Sequence, residues 1–186
     1  MLIAKIGFGG SCHWCTEAIF ASLNGVEKVD QGWISSTGEN DSFSEAVIIH
    51  FDATIIPLKT LIEIHLHTHS CTVGHSMRKK YRSAVYYFTT LQGIEVKVTE
   101  SIEQLQADFE DKIITEVLPF VNFKLNQASF LDYYYSNPEK PFCENIINPK
   151  LKILIAKFPK YTNQTKLSHL GKSSIAAGTA AIGRLQ

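Results

Sequence analysis

Two cysteines three positions apart, Cys12 and Cys15, stand in Gly9-Gly10-Ser11-Cys12-His13-Trp14-Cys15-Thr16-Glu17-Ala18. An apolar run, Ile3 to Phe8, precedes them, and Cys15, Ala18, Ile19, Ser22 and Leu23 follow at helical spacing toward a stop at Asn24-Gly25. Cys12 therefore falls where a strand hands over to a helix N-terminus. Unpaired N–H groups and the positive end of the helix dipole favour an anion there, and a thiolate is one. The sharp reading is a poised nucleophile; the plain one is a buried, inert thiol. Cys-x-x-Cys spacing also suits a redox pair, although only about ten residues precede it where a thioredoxin fold would place a longer βαβ unit.

Other chemistry-bearing residues are scattered. His65 and His69 lie four apart with Cys71 close by, a spacing that can face one metal. Leu61, Ile62 and Leu66 surround that face, so ordinary core-edge histidines are the preferred reading and no metal is expected. Tyr81-Arg82-Ser83 follows a basic run, and Cys143 lies in a turn-rich stretch after Pro138 and Pro141. Alone, neither specifies a reaction.

The elements that must position these groups come next. Strands are predicted at Ile3 to Phe8, Val26 to Ser36, Ala46 to Phe51, Ala84 to Phe88 and Lys112 to Leu118. Glu45 sits at the start of the third. Helices follow Cys12, open at Pro57 with a stripe through Leu58, Leu61, Ile62, His65, Leu66 and His69, run from Leu91 to Phe109, and start after Pro149. The order β-α-β-β-α-β-α-β predicts an α+β fold: a two-layer sandwich, helices packed on a mixed, mostly antiparallel sheet, ferredoxin-like. After Tyr161 the composition turns to Ser, Gly, Ala and Lys, which predicts a domain over 1–163 and a loosely attached tail over 164–186.

The 186 residues carry 18 basic and 18 acidic side chains, so bulk charge points to neither nucleic acid nor an anionic membrane. No apolar run approaches the ~18 residues of a membrane span. Four unevenly spaced cysteines do not form a disulfide scaffold. The apolar stretch before Gly9 is broken by Lys5 and is shorter than the roughly 7–15 residues of a signal peptide core, so a cytoplasmic location is expected.

Taken in order, these segments resemble the A-type peptide methionine sulfoxide reductases. Phe8 to Ala18 resembles the family's FGGGCFWCxEA signature. Glu45-Ala46-Val47 with Phe51-Asp52, Tyr81-Arg82-Ser83-Ala84-Val85-Tyr86-Tyr87, Thr115-Glu116-Val117-Leu118-Pro119, and Asn137-Pro138 with Pro141-Phe142-Cys143 match further family segments. The likeness spans about Ile3 to Phe158. It implies reduction of methionine S-sulfoxide, free or in proteins, with no cofactor. Cys12 would be the nucleophile and pass through a sulfenic acid, Glu45 the acid, Tyr81 a hydrogen-bond donor to the sulfoxide oxygen, and Cys143 the resolving thiol. Cys15 and Cys71 are alternatives to Cys143, and thioredoxin or a similar dithiol is the reductant. Trp14 would pack on the substrate methyl.

Departures mark a divergent member. His13 stands where the family has Phe, and Trp33 where a Gly-Tyr dipeptide supplies a hydroxyl, so that its indole N–H becomes a candidate substitute donor. Ser76 takes an aspartate's place. The competing class is a non-catalytic redox sensor or sulfoxide-binding protein that kept Cys12. To donate a proton near neutral pH, Glu45 must be partly desolvated. Glu45→Gln is expected to lose most turnover while Cys12 still alkylates; unchanged turnover removes Glu45 from the acid role.

Overall fold

The computed structural model describes residues 3–170. Six strands form one sheet: β1 (Ile3–Gly9), β2 (Val26–Ser35), β3 (Ser44–Asp52), β4 (Ala84–Tyr87), β5 (Glu116–Pro119) and β6 (Asn122–Leu125). Their order across the sheet is β5-β4-β1-β3-β2-β6. All neighbours are antiparallel except β4 and β5, which are parallel and joined through a crossover helix. The predicted α+β class and the mixed, mostly antiparallel sheet are present.

The helices are α1 (His13–Ala21), α2 (Leu58–Thr68), α3 (Ile94–Leu105), the single turn α4 (Tyr133–Ser136) and α5 (Asn148–Lys157). Alternate residues of β3 explain the layering. Val47, Ile49 and Phe51 join Ile6, Phe8, Phe20, Leu61, Ile62 and Leu151 in the main core between sheet and helices. Ala46 and Ile48 point to the other face, where Ile34, Ala84 and Tyr86 are covered by Phe88, Phe120 and Phe123. An unbroken apolar run on β3 is what burial on both faces requires. Each large side chain buried here contributes about 1.5–3 kcal/mol.

Several boundaries differ from the sequence reading. The third helix begins at Ile94 behind Gly93, whose φ of 73° is left-handed, and its α-helical part ends at Leu105 rather than Phe109. The strand expected from Lys112 shrinks to Glu116–Pro119, because the chain before it runs past Cys71, whose carbonyl accepts from the Ile114 N–H at 2.8 Å. Strand β6 was not anticipated: four residues with two apolar side chains carry little periodicity, and pairing with β2 sets them in place.

The tail boundary also moves. Leu167 and Leu170 belong to the main core, and Lys166 donates to the Ala21 carbonyl at 2.7 Å. Chain beyond Asn163 is thus packed at least to Leu170. The rest of the expected tail, 171–186, lies outside the described residues. Among the described residues no helix is long and apolar enough to cross a membrane. Leu167→Ala is expected to lower unfolding free energy by about 2–5 kcal/mol, the cost of a buried leucine truncation, read from urea unfolding; a loss below about 1 kcal/mol would mean that this segment is not part of the core.

Candidate active site

Cys12 caps α1 with extended backbone angles (φ −51°, ψ 134°), while its carbonyl already accepts from the Thr16 N–H at 3.1 Å. The chain reaches that cap through Gly10, at φ 142°, where a Cβ would lie 2.5 Å from the His69 ring. Only glycine fits such a bend against such a neighbour. The Cys12 thiol is half-buried and its pKa is lowered. The largest cause is a hydrogen bond from the Cys15 side chain; the Trp14 and Cys15 backbone N–H groups help, while burial and the Glu45 carboxylate oppose. Cys15 itself is buried and its pKa is pushed up, first by the thiolate it serves. The pair is polarised: Cys12 holds the charge and Cys15 the proton.

Glu45 comes to this thiol by strand register. Phe8 pairs with Val47 across β1 and β3, Trp33 pairs with Glu45 across β2 and β3, and Gln31 pairs with Val47. With a side-chain period of two, Gln31, Trp33 and Glu45 share the helix-bearing face. Glu45 is buried; its Oε2 accepts from the His13 backbone N–H at 3.0 Å and its Oε1 lies 3.2 Å from Lys80 Nζ. The Lys80 ammonium is held above its ordinary range by Tyr81 and by Glu45.

A cavity of about 300 Å³ opens beside the thiol, lined among others by Cys12, Cys15, His69, Tyr81, Phe142 and Lys150. Tyr81 is therefore brought to Cys12. Glu45, His13, Trp14 and Trp33 lie outside that cavity's lining. A larger cavity of about 460 Å³, lined by Glu39, Arg82 and Glu116, contains none of the expected site residues.

Trp14 stacks on Tyr133 at 4.1 Å and meets Phe142 edge-on, forming an apolar wall. Its indole N–H donates to the Phe130 carbonyl at 3.1 Å. Trp33 is not a free donor: its N–H is given to Asn126 Oδ1 at 3.1 Å. Ser76 is exposed and outside the cavity; in its neighbourhood His75 is the lining residue. In the same turn Arg78 reaches inward, donating to the carbonyls of Gly10, Ser70, Val73 and Tyr81.

Cys143 is fully buried, its thiol pKa raised by that burial, at the start of a π turn, Cys143–Ile147. The structure does not place it in the cavity, although Phe142 and Ile146 on either side line it. Cys71 is buried too, with a raised pKa of the same cause. All four cysteines are free thiols.

Of the histidine pair, His69 is tied into the fold through both ring nitrogens. His69 Nδ1 bonds the His65 carbonyl at 2.6 Å and its Nε2 bonds Ser83 Oγ at 2.7 Å, so neither nitrogen is left for a metal. Burial holds His69 down at about 4. Among the described residues the possible ligands that converge are Glu63, His67 and Asp108, where Lys157 Nζ already lies 3.4 Å from both His67 ring nitrogens.

Sequence reading missed Lys80, Lys150, Glu17, Gln31 and Asn126. Lys150 lines the cavity, and burial pulls its ammonium pKa down against the opposing charges of Cys15 and Cys12. Nothing in a lysine 138 positions from Cys12 announces that placement. Glu17 is buried, and desolvation raises its pKa despite bonds from Gln31 Nε2 (2.7 Å) and the Asp132 N–H (3.2 Å). A glutamate on the inner face of a helix was the available sign.

A low-pKa thiol on a helix cap, with a carboxylate and a phenol beside it, is equipment for thiol oxidoreductase chemistry. The family described as peptide methionine sulfoxide reductase matches residues 4–162. A peptide methionine sulfoxide reductase MsrA of Pasteurella multocida (strain Pm70) is 34% identical over 165 residues, covering 81% of this chain and 94% of that one. Mxr1 from Saccharomyces cerevisiae in reduced form has a TM-score of 0.65 at 20% identity, over 76% of this chain and 89% of its own. Mxr1 in complex with Trx2 has a TM-score of 0.54 at 16% identity, over 67% and 81%. The chain belongs to the peptide methionine sulfoxide reductase family.

Removing the Cys15 thiol tests the polarised pair. Cys15→Ala is expected to raise the Cys12 pKa and slow alkylation at pH 7 by about tenfold, as losing one hydrogen bond to an ionised group implies; an unchanged pH profile of iodoacetamide modification would show that the helix cap alone sets Cys12.

Proposed function

We propose that this member of the family reduces methionine S-sulfoxide to methionine at Cys12. The observation that carries the reading is the placement of the half-buried Cys12 thiol at the cap of α1, lining the same cavity as Tyr81. The thiolate attacks the sulfoxide sulfur. The Glu45 carboxylate takes up a proton from solvent as substrate binds and passes it to the sulfoxide oxygen, with Tyr81 donating a hydrogen bond to that oxygen. Methionine leaves with its sulfur reduced, and Cys12 is oxidised to a sulfenic acid that keeps the oxygen.

A second thiol then condenses with the sulfenic acid, releasing water and forming a disulfide. Cys143 takes this role in our reading. Its support is the resemblance and its π turn, an irregularity often found at functional sites, with both flanks on the cavity wall. The turn must open for the sulfurs to meet. Cys15, already bonded to Cys12, is the competitor. A dithiol of the thioredoxin kind restores both thiols; the Mxr1–Trx2 complex supports that assignment. Trp14, Tyr133 and Phe142 offer the apolar surface for the substrate methyl. A ferredoxin-like label for the inner four strands is supported by their βαββαβ sequence and β4-β1-β3-β2 order. A cytoplasmic setting is supported by four free thiols.

The test uses the purified chain, a methionine sulfoxide peptide of each epimer, and thioredoxin or dithiothreitol. Product from the S epimer, abolished in Cys12→Ser, is expected; no product from either epimer overturns the enzyme reading. In Cys143→Ser a stoichiometric burst of methionine should persist while thioredoxin-driven turnover falls by about 100-fold. Full turnover in that variant would move the resolving role to Cys15.

A further inference from the structure

The direction of one buried hydrogen-bond chain is fixed by a group that can only donate. The Trp33 indole N–H points at Asn126, so the amide atom it meets, Oδ1 at 3.1 Å, is the acceptor. The other end of that amide, Nδ2, is then a donor toward both Gln31 Oε1 at 2.7 Å and His13 Nε2 at 3.3 Å. Gln31 is oriented in turn, its Nε2 donating to Glu17 Oε2 at 2.7 Å and to the Phe130 carbonyl at 3.1 Å. Every amide in the chain is oriented without contradiction. His13 Nε2, receiving an N–H, carries no proton of its own.

With Nε2 accepting from Asn126 the ring holds one proton and is neutral, the form that burial also favours. Its proton must then sit on Nδ1. That nitrogen is 3.1 Å from Glu45 Oε2, off the line of an ordinary hydrogen bond and with no other partner. The groups facing the ring are Glu45 from β3, Lys80 from the turn before β4, Asn126 from the end of β6, and Trp33 edge-on at 5.9 Å. Glu17 is reached only through Gln31 and Asn126.

We propose that His13 is a positioning residue for Glu45, locked by Trp33 and Asn126 as the Nδ1–H tautomer so that a fixed N–H faces the carboxyl oxygen. On Oε2 the Glu45 carboxyl accepts from the His13 backbone N–H at 3.0 Å and has the ring Nδ1 standing 3.1 Å away, while Lys80 Nζ lies 3.2 Å from Oε1. This rests on Glu45 acting as the proton donor of the proposed reaction. Trp33 is assigned to the lock and not to the substrate.

Nitrogen-15 spectra of histidine-labelled protein read the tautomer directly. At pH 7.5 His13 should show a protonated Nδ1 and a bare Nε2, and Trp33→Phe should convert it to a mixture. A protonated Nε2 in the unaltered protein overturns the proposal. Turnover adds a second readout. His13→Phe keeps the backbone bond but removes the ring N–H, and should lower kcat by about tenfold with KM little changed. His13→Asn, which can set a side-chain N–H near the Nδ1 position, should recover most of that loss. Equal activity of His13→Phe and the unaltered protein sinks the positioning role. Glu45→Gln in the same assay separates the two ideas: undiminished turnover there withdraws Glu45 as the acid, while the nitrogen shifts still decide the tautomer.

Discussion

The position of the Cys12 sulfur depends on one close approach, between the Gly10 backbone and the His69 ring. The chain leaves β1 in a tightly paired strand and must turn sharply to start α1. Gly10 makes that turn at a φ closed to other residues, with the imidazole filling the space where a side chain would be. His69 cannot yield, because both nitrogens are engaged, one with its own helix at His65 and one with Ser83 ahead of β4. Arg78 ties the same junction from outside through the Gly10 and Tyr81 carbonyls, at 3.2 and 3.1 Å. Helix α2, the β1–α1 junction and the segment bearing Tyr81 therefore hold one another in place. A thiol and a phenol that line one cavity are held in fixed relation by that kind of preorganisation.

Electrostatics at the junction follows from where protons are kept. Cys15 keeps its own because burial and the neighbouring thiolate both oppose a second charge. That proton and the backbone N–H groups of the helix start both favour the thiolate at Cys12. The buried Glu45 is paired on both oxygens, with Lys80 on one side and His13 on the other, as a charge in such a place requires. An anion at Cys12 and a carboxylate at Glu45 repel, so the cations at Lys80 and Lys150 are part of what lets the two groups be neighbours.

How much of this was legible in the sequence depended on range. The strand before Cys12, the helix after it and the buried β3 are local patterns, and period alone shows them. The family likeness then put Glu45 and Tyr81 beside Cys12, although they lie far along the chain. Strand β6 escaped because its order comes from β2: Gly32 admits the Lys124 carbonyl so closely that an added Cβ would stand 2.2 Å from it, and no feature of Asn122 to Leu125 says so. Around Ser76, which stands in an aspartate's place, the chain is shortened relative to the family pattern and Arg78 arranges the loop by its own bonds. Leu167 and Leu170 are two leucines in a polar stretch, too sparse to reveal a packed face.

Two departures from the family pattern, His13 and Trp33, form one physical unit with Asn126. An imidazole at position 13 brings two nitrogens into a buried place, and each needs a complementary group. Glu45 faces one. The other needs a donor, which Asn126 supplies, and that amide needs a donor for its own oxygen, which Trp33 supplies. Substituting any one alone would leave a partly buried polar atom without its partner. Residues that seemed separate losses in the sequence are thus mutually required in the fold. The polar wall they form beside Trp14 replaces an apolar one without leaving a buried charge unpaired, which is how a divergent lining can coexist with the same thiol centre.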